Sequence, residues 1–315
     1  MTRSFTRAAI LARLHASIAA GRPILCATAG SGLIARSLEA GDVDLLLTSV
    51  TGLARQRGLP SIAWRLSENN AYVRDIIGEI SEVTDKTPLI ASIGAAYEPA
   101  DVDFGRLVKS YADLGYSGVL NFPTVGEYGA PRFDQNMDEF IARGERLGAT
   151  DFEVRMAAAA RGHRSDLAAR HANGAGYRRE LELIRAAHDA DLFTLGYAWD
   201  TTGAIDMALA GADIVVGHCG GTGGGSAGEP LMTHADAAAW LNEIFGAARS
   251  VRPDVMLMGH GGPFSSPEDT RLLYDLTAAV GFLSGSAVER IPVERAVREA
   301  VVQFKNVELR TGRHR

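Results

Sequence analysis

Eight short runs rich in apolar and β-branched residues recur along the chain, and this rhythm restricts the fold more than any other feature. They are ILCATAG (24–30), VDLLLTS (43–49), PLIASIG (88–94), GVLNFPT (118–124), FTLGYAW (193–199), DIVVGHC (213–219), VMLMGHG (255–261) and GFLSGSA (281–287). Helical patterns such as LIARSLEAG, FGRLVKSYADLG and HADAAAWLNEIFGAARS fall between most of them, several closing at glycine. Strands alternating with helices imply parallel pairing through right-handed crossovers. Continuous apolar strands suit a sheet buried on both faces. Eight such units in 315 residues predict an α/β fold, a closed (β/α)8 TIM barrel forming a single domain over 1–315. An open doubly wound sheet is the alternative.

Three segments stand outside that repeat. MTRSFTRAAILARLHASIAAG predicts an amphipathic N-terminal helix and lacks the unbroken apolar centre of a signal peptide. Residues 51–75 form a long excursion after the second strand. Residues 145–176, rich in Ala and Arg, predict an inserted helical segment. That insertion reads either as an exposed helical pair or oligomer arm, or as a lid whose Arg161, His163 and Arg164 meet an anionic substrate. The closing RTGRHR is read as a frayed basic end.

A net charge of -6 argues against nucleic acid or an anionic membrane as the main partner. No apolar stretch reaches membrane-spanning length. With only Cys26 and Cys219, a disulfide framework is not expected, and a reducing cytoplasm is. Both cysteines read as small core residues.

In such a barrel the C-terminal strand ends face the active site. That rule brings Thr28, Ser31, Thr48, Ser49, Asn121, Thr124, Glu127, Asp200, His218, His260, Ser286 and Glu289 to the mouth. His218, His260, Asp200 and Glu289 are the candidate catalytic groups, as a general acid–base pair or as ligands of a divalent cation such as Mg2+. The bland reading of each histidine is a strand-end ring bonded to a neighbouring carbonyl. No HExxH, Gly-x-Ser-x-Gly or Walker loop occurs, so metalloprotease, serine hydrolase and NTPase readings lack support. HCGGTGGGS (218–226) reads as an anion cradle in which Gly221, Thr222, Gly223, Gly224 and Ser226 offer amides and hydroxyls; a tight β–α turn is the alternative. Gly261 and Gly262 after His260, with Ser31, Asn121, Thr124 and Ser286, complete the expected substrate-binding set.

Several of these stretches together resemble the phosphoenolpyruvate hydrolase-like family of TIM-barrel proteins. They are GSGLIARSLEAGDVDLLL, GYSGVLNFPTVG, GYRRELELIRAAHDADLFTLGYAWD, ALAGADIVVGHCGGTGGGS, GHGGPFSSPEDT and GFLSGSAVERIPVERAVREAVVQFK. The resemblance runs from about residue 23 to 305. Where that family carries an Asn-Ser-Gly-Arg run, this chain reads TSVTGLARQRG, with Arg55 and Arg57 the candidate equivalents. The resemblance implies a remote similarity to the phosphoenolpyruvate mutase and isocitrate lyase barrels, which bind Mg2+ and handle 2-oxoacid enolates. Their Asp-rich metal run has no counterpart in PLIASIGAAYEPAD, so their metal site does not carry over. The expected function is cleavage of a C–C or P–C bond, or hydrolysis, in a small anionic oxoacid-like substrate, by a cytoplasmic homo-oligomer. A non-catalytic ligand-sensing or signalling barrel is the alternative.

Overall fold

A computed structural model describes residues 4–64 and 68–309; the basic tail at 310–315 lies outside them. All eight apolar runs form strands: β1 (Ile24–Thr28), β2 (Leu45–Thr48), β3 (Leu89–Ser92), β4 (Gly118–Leu120), β5 (Phe193–Ala198), β6 (Ile214–His218), β7 (Met256–His260) and β8 (Gly281–Ser284). They pair in parallel in sequence order, and β8 closes on β1, so the sheet is a barrel and the open-sheet alternative is excluded. Most strands stop short of the apolar run that announced them. The last residues turn out of the ladder into the loops of the mouth.

Side chains alternate between two layers, as strand geometry requires. Ile24, Cys26, Leu45, Leu47, Ile90, Leu195, Val216 and Met258 fill the barrel interior. Ala27, Leu46, Ala91 and Val119 face the surrounding helices, as do Val215 and Leu257. The helix layer comprises α2 (Gly32–Ala40), α3 (Val50–Gln56), α4 (Asn69–Ser81), α5 (Phe104–Leu114), α8 (Arg178–Asp189), α9 (Thr201–Leu209), α10 (His234–Val251), α11 (Pro267–Leu276) and α12 (Arg290–Lys305). The described part of the excursion at 51–75 is therefore folded, with α3, a 3-10 turn at Ser61–Ala63 and the start of α4. On α12 only Arg290 is buried, and Val297, Val301, Val302 and Phe304 stand exposed.

The predicted N-terminal helix is α1 (Arg7–Ala19), capped by Thr6. Its apolar face drives Ile10 and Leu14 into the interior cluster, against the entry ends of the strands. Arg7 clamps Asp213 through Nε (2.9 Å) and Nη2 (2.7 Å), pinning this helix across the barrel floor.

The insertion differs from its expected bounds. It is a helical hairpin, α6 (Pro131–Glu145) and α7 (Asp151–Ala172), and so begins well before residue 145. The boundary was hidden because PRFDQNMDEFIARGE carries an ordinary amphipathic pattern that passes for the barrel helix after β4. Thr150 and Glu153 form a capping box that restarts the chain as α7. Gly144 permits close contact of the two helices, since a Cβ there would lie 2.3 Å from that of Ala157. Phe133, Met137, Phe140, Met156, Ala160 and Leu167 make the apolar layer of the hairpin, which packs on Trp199 at the mouth. It is a cover and not an exposed arm.

Glu180 on α8 is fully buried and organises the loop after β4. It accepts from Asn121 Nδ2 (2.6 Å), Thr124 Oγ1 (2.7 Å) and the Val125 amide (2.5 Å). Burial pushes its carboxyl up to about 7, against the pull of those three donors. Glu180→Ala strands all three, and each orphaned buried donor costs about 1–3 kcal/mol. Urea unfolding should therefore show a loss of about 3 kcal/mol or more. A loss below about 1 kcal/mol would mean that water replaces the carboxylate.

Candidate functional site

Strand parity aims the two histidines. Ile214 and Val216 point inward on β6, as Met256 and Met258 do on β7, so His218 and His260 are the next inward positions. They are direct register partners, with ring centroids 4.4 Å apart and planes at 65°. His218 also stacks on Trp199, centroids 3.8 Å apart and 20° from parallel.

Their outer nitrogens are held in opposite senses. The Gly220 amide donates to His218 Nδ1 at 2.9 Å, so the proton of the neutral ring sits on Nε2. His260 Nδ1 lies 2.7 Å from the Leu283 carbonyl, which can only accept, so Nδ1 carries the proton and Nε2 keeps its lone pair. Burial drives the His218 pKa well below the usual imidazole range, and the adjacent His260 adds to the shift. Burial likewise lowers His260, to about 4; the Leu283 carbonyl opposes that shift and the Arg55 charge reinforces it. Both rings are neutral at pH 7. One offers a hydrogen-bond donor and the other an acceptor, in the wall of a single cavity of about 140 Å³.

Arg55 of α3 lines the same cavity. Its Nε donates to Glu289 Oε2 at 2.5 Å and its Nη1 to Ser61 Oγ at 3.1 Å, while Nη2 is buried with no partner. The opposite oxygen of Glu289 accepts from the Gly30 amide (2.9 Å) and Gln56 Nε2 (2.8 Å). Glu289 is thus saturated and anchors the guanidinium. Trp199 Nε1, on another wall residue, is a second buried donor without a partner. From the hairpin, His163 Nε2 meets Glu127 Oε1 at 2.5 Å, both buried in the wall. Arg161 instead pairs with Glu145, and Arg164 with Asp138, so neither arginine of the expected lid is turned to a substrate.

Several residues expected from the sequence are employed elsewhere. Asp200 caps α9, accepting from the Gly203 amide at 2.7 Å, and Ser31 caps α2. Asn121 and Thr124 serve Glu180, as described above. Two amides of the glycine loop are bonded to carbonyls: Gly223 to Gly262 in the loop after β7 (3.1 Å) and Gly224 to Gly228 (2.6 Å). Ser226 donates to Glu294 Oε1 and accepts from Arg290 Nη1 at 3.0 Å, so its hydroxyl is already engaged. A Cβ at Gly223 would lie 2.7 Å from the Pro230 backbone, and one at Gly261 would lie 1.9 Å from the Gly220 carbonyl oxygen. Gly262 is held at φ 62° against Cys219. Gly223, Gly224, Gly261, Gly262 and Ser226 are thus engaged in the loops, and Gly223 also lines the cavity. Gly221, Thr222, Gly223, Ser286, Thr28 and Ser49 line the cavity. The residue inventory passed over Trp199 and Ser61. Parity was the available signal for the tryptophan, since Leu195 and Tyr197 point inward and Trp199 follows two residues later.

The donor set does not suit a divalent cation. No group of three or more His, Cys, Asp or Glu side chains able to hold a metal occurs among the described residues. Glu127 is engaged by His163 and Glu289 by Arg55. No helix among the described residues is long and apolar enough to cross a membrane.

The chain matches the model of phosphoenolpyruvate hydrolase-like proteins over residues 9–169 and 162–307. It is 33% identical over 307 residues to the ToMV resistance protein Tm-1(GCR237) of Solanum lycopersicum, covering 96% of this chain and 36% of that protein. The chain thus spans about a third of that relative's length. Among solved structures, phosphonopyruvate hydrolase in complex with oxalate and Mg2+ superposes with a TM-score of 0.52 at 17% identity, over 96% of this chain and 87% of that one. The 2,3-dimethylmalate lyase, a member of the PEP mutase/isocitrate lyase superfamily, gives 0.52 at 14% identity, over 98% and 92%. At these identities the likeness is one of fold.

Long-range proton–nitrogen NMR of histidine-labelled protein should show one Nε2–H and one Nδ1–H ring, His218 and His260, at pH 7. His260 should take up its second proton only near pH 4. Titration at about 6.5, the ordinary imidazole value, would show both rings to be solvated.

Proposed function

The chain belongs to the phosphoenolpyruvate hydrolase-like family, and from that premise we propose an enzyme that cleaves a C–C or P–C bond, or hydrolyses a bond, in a small oxoacid-like anion. One observation carries the reading: Arg55, which keeps a buried guanidinium nitrogen without a partner, lines the same cavity as two neutral histidines of opposite polarity. An orphaned cationic donor is costly to bury, and a carboxylate would satisfy it.

In this mechanism Arg55 holds the substrate carboxylate while Glu289 and Ser61 keep the guanidinium from turning. His260 Nε2, the free lone pair, removes a proton from a substrate hydroxyl or from a water that attacks. Electrons of the breaking bond pass to the oxoacid carbonyl, and His218 Nε2–H donates to the enolate or oxyanion that forms. The stack on Trp199 and the Gly220 amide fix that ring beforehand. Mg2+ accompanies the phosphonopyruvate hydrolase structure, but the donor set here supports no step through a metal.

The reading includes a cytoplasmic homo-oligomer. The buried thiols of Cys26 and Cys219 support the compartment, and the exposed apolar residues of α12 support self-association. A ligand-sensing barrel without turnover is the second reading, favoured by the likeness to a resistance protein. It uses the same Arg55 site.

Calorimetry and turnover assays with 2-oxoacids, phosphonates and phosphoenolpyruvate separate the two. Arg55→Lys keeps the charge beside Glu289 but removes the fork, and should weaken binding about tenfold to a hundredfold. His260→Gln should retain binding and reduce kcat about a hundredfold or more. Binding by the wild type without turnover of any compound selects the sensor.

A further inference from the structure

The cavity has two chemically distinct ends. Its polar groups gather where the strands end: Arg55, His218, His260 and Ser286. The opposite wall comes from the inserted hairpin, where Phe133, Met137 and Phe140 of α6 with Phe152 and Met156 of α7 outnumber the polar Asn136 and His163. All but Phe152 are more than nine-tenths buried. Of the polar side chains that share this wall, Glu127 and His163 satisfy each other, which leaves the Asn136 amide as the remaining polar group among the apolar ones.

A two- or three-carbon acid would occupy the polar end and leave this roof facing water. Apolar surface is worth about 25 cal/mol per Å² when covered, so a substrate that ends at the carboxylate makes no use of it. An apolar cavity of about 150 Å³ accepts a benzene ring. The space here is of the same order, about 140 Å³. Phenylalanine faces and the flexible, polarizable thioethers of Met137 and Met156 suit an aromatic or branched aliphatic group.

We infer that the substrate is an amphipathic oxoacid: its carboxylate lies on Arg55, and an aromatic or branched aliphatic substituent lies under the α6–α7 hairpin. The inference rests on the proposed oxoacid site and adds the chemical class of its other end. The hairpin is then the specificity element of the barrel.

Titration calorimetry of the wild type with pyruvate, 2-oxobutyrate, 4-methyl-2-oxopentanoate and phenylpyruvate tests it. Each methylene buried under the roof should tighten binding about fourfold. Phenylpyruvate should bind at least about tenfold more tightly than pyruvate. In Met156→Gln, which keeps the side-chain length and sets an amide in the roof, the ratio of the two affinities should fall toward one. Equal affinity for all four acids, or tightest binding of pyruvate, overturns the amphipathic substrate while leaving the oxoacid site standing. No binding by any of the four overturns the oxoacid site itself, and the inference with it.

Discussion

Once eight parallel strands close on themselves, a side chain has two destinations, the barrel interior or the helix layer, and its position along the strand decides between them. Here the interior set begins with Ile24 on β1, Phe193 on β5, Ile214 on β6 and Met256 on β7. Counting by twos from these brings Thr28, Trp199, His218 and His260 inward at the mouth. The same count turns Asp200 outward, where it caps α9. Site and scaffold are therefore one pattern: a single-residue slip in β6 would exchange His218 for Gly217.

That constraint also explains what the sequence made legible. Eight apolar runs and their spacing were enough for the barrel, because each run must be buried on both faces. The strand-end rule found His218 and His260 but collected Asp200, Ser31, Asn121 and Thr124 with them, since it sorts by position and ignores parity. Caps and buried networks consume such residues first. Glu180 is the clearest case: it sits in the first turn of YRRELELIRAAHDA, where nothing local marks it as the acceptor for the loop after β4. Arg55 stood out only through a family resemblance, and its unpartnered Nη2 follows from a contact with Glu289, 234 residues away in sequence. Such pairings are set by the closed tertiary fold and leave no periodic trace.

Buried charge is managed by assigning each carboxylate a single task. Glu289 holds a cation, Glu127 a histidine and Glu180 a loop. Each meets its partners with short hydrogen bonds, as a low-dielectric interior requires. The result is a cavity whose wall combines engaged acids with two neutral imidazoles and the guanidinium side chains of Arg55 and Arg290.

At the other end of the barrel, Ile10 and Leu14 of α1 fill the space between the strand entries, and the Arg7–Asp213 clamp keeps them there. Above them Leu45, Leu195, Val216 and Met258 leave the interior packed up to the level of the histidines. The cavity therefore has a floor, and traffic through it is one-way-in, same-way-out. A reactant and whatever replaces it must share one passage beside the α6–α7 cover. Two products formed together would have to depart in order, with the one nearer the cover leaving before the one seated on Arg55.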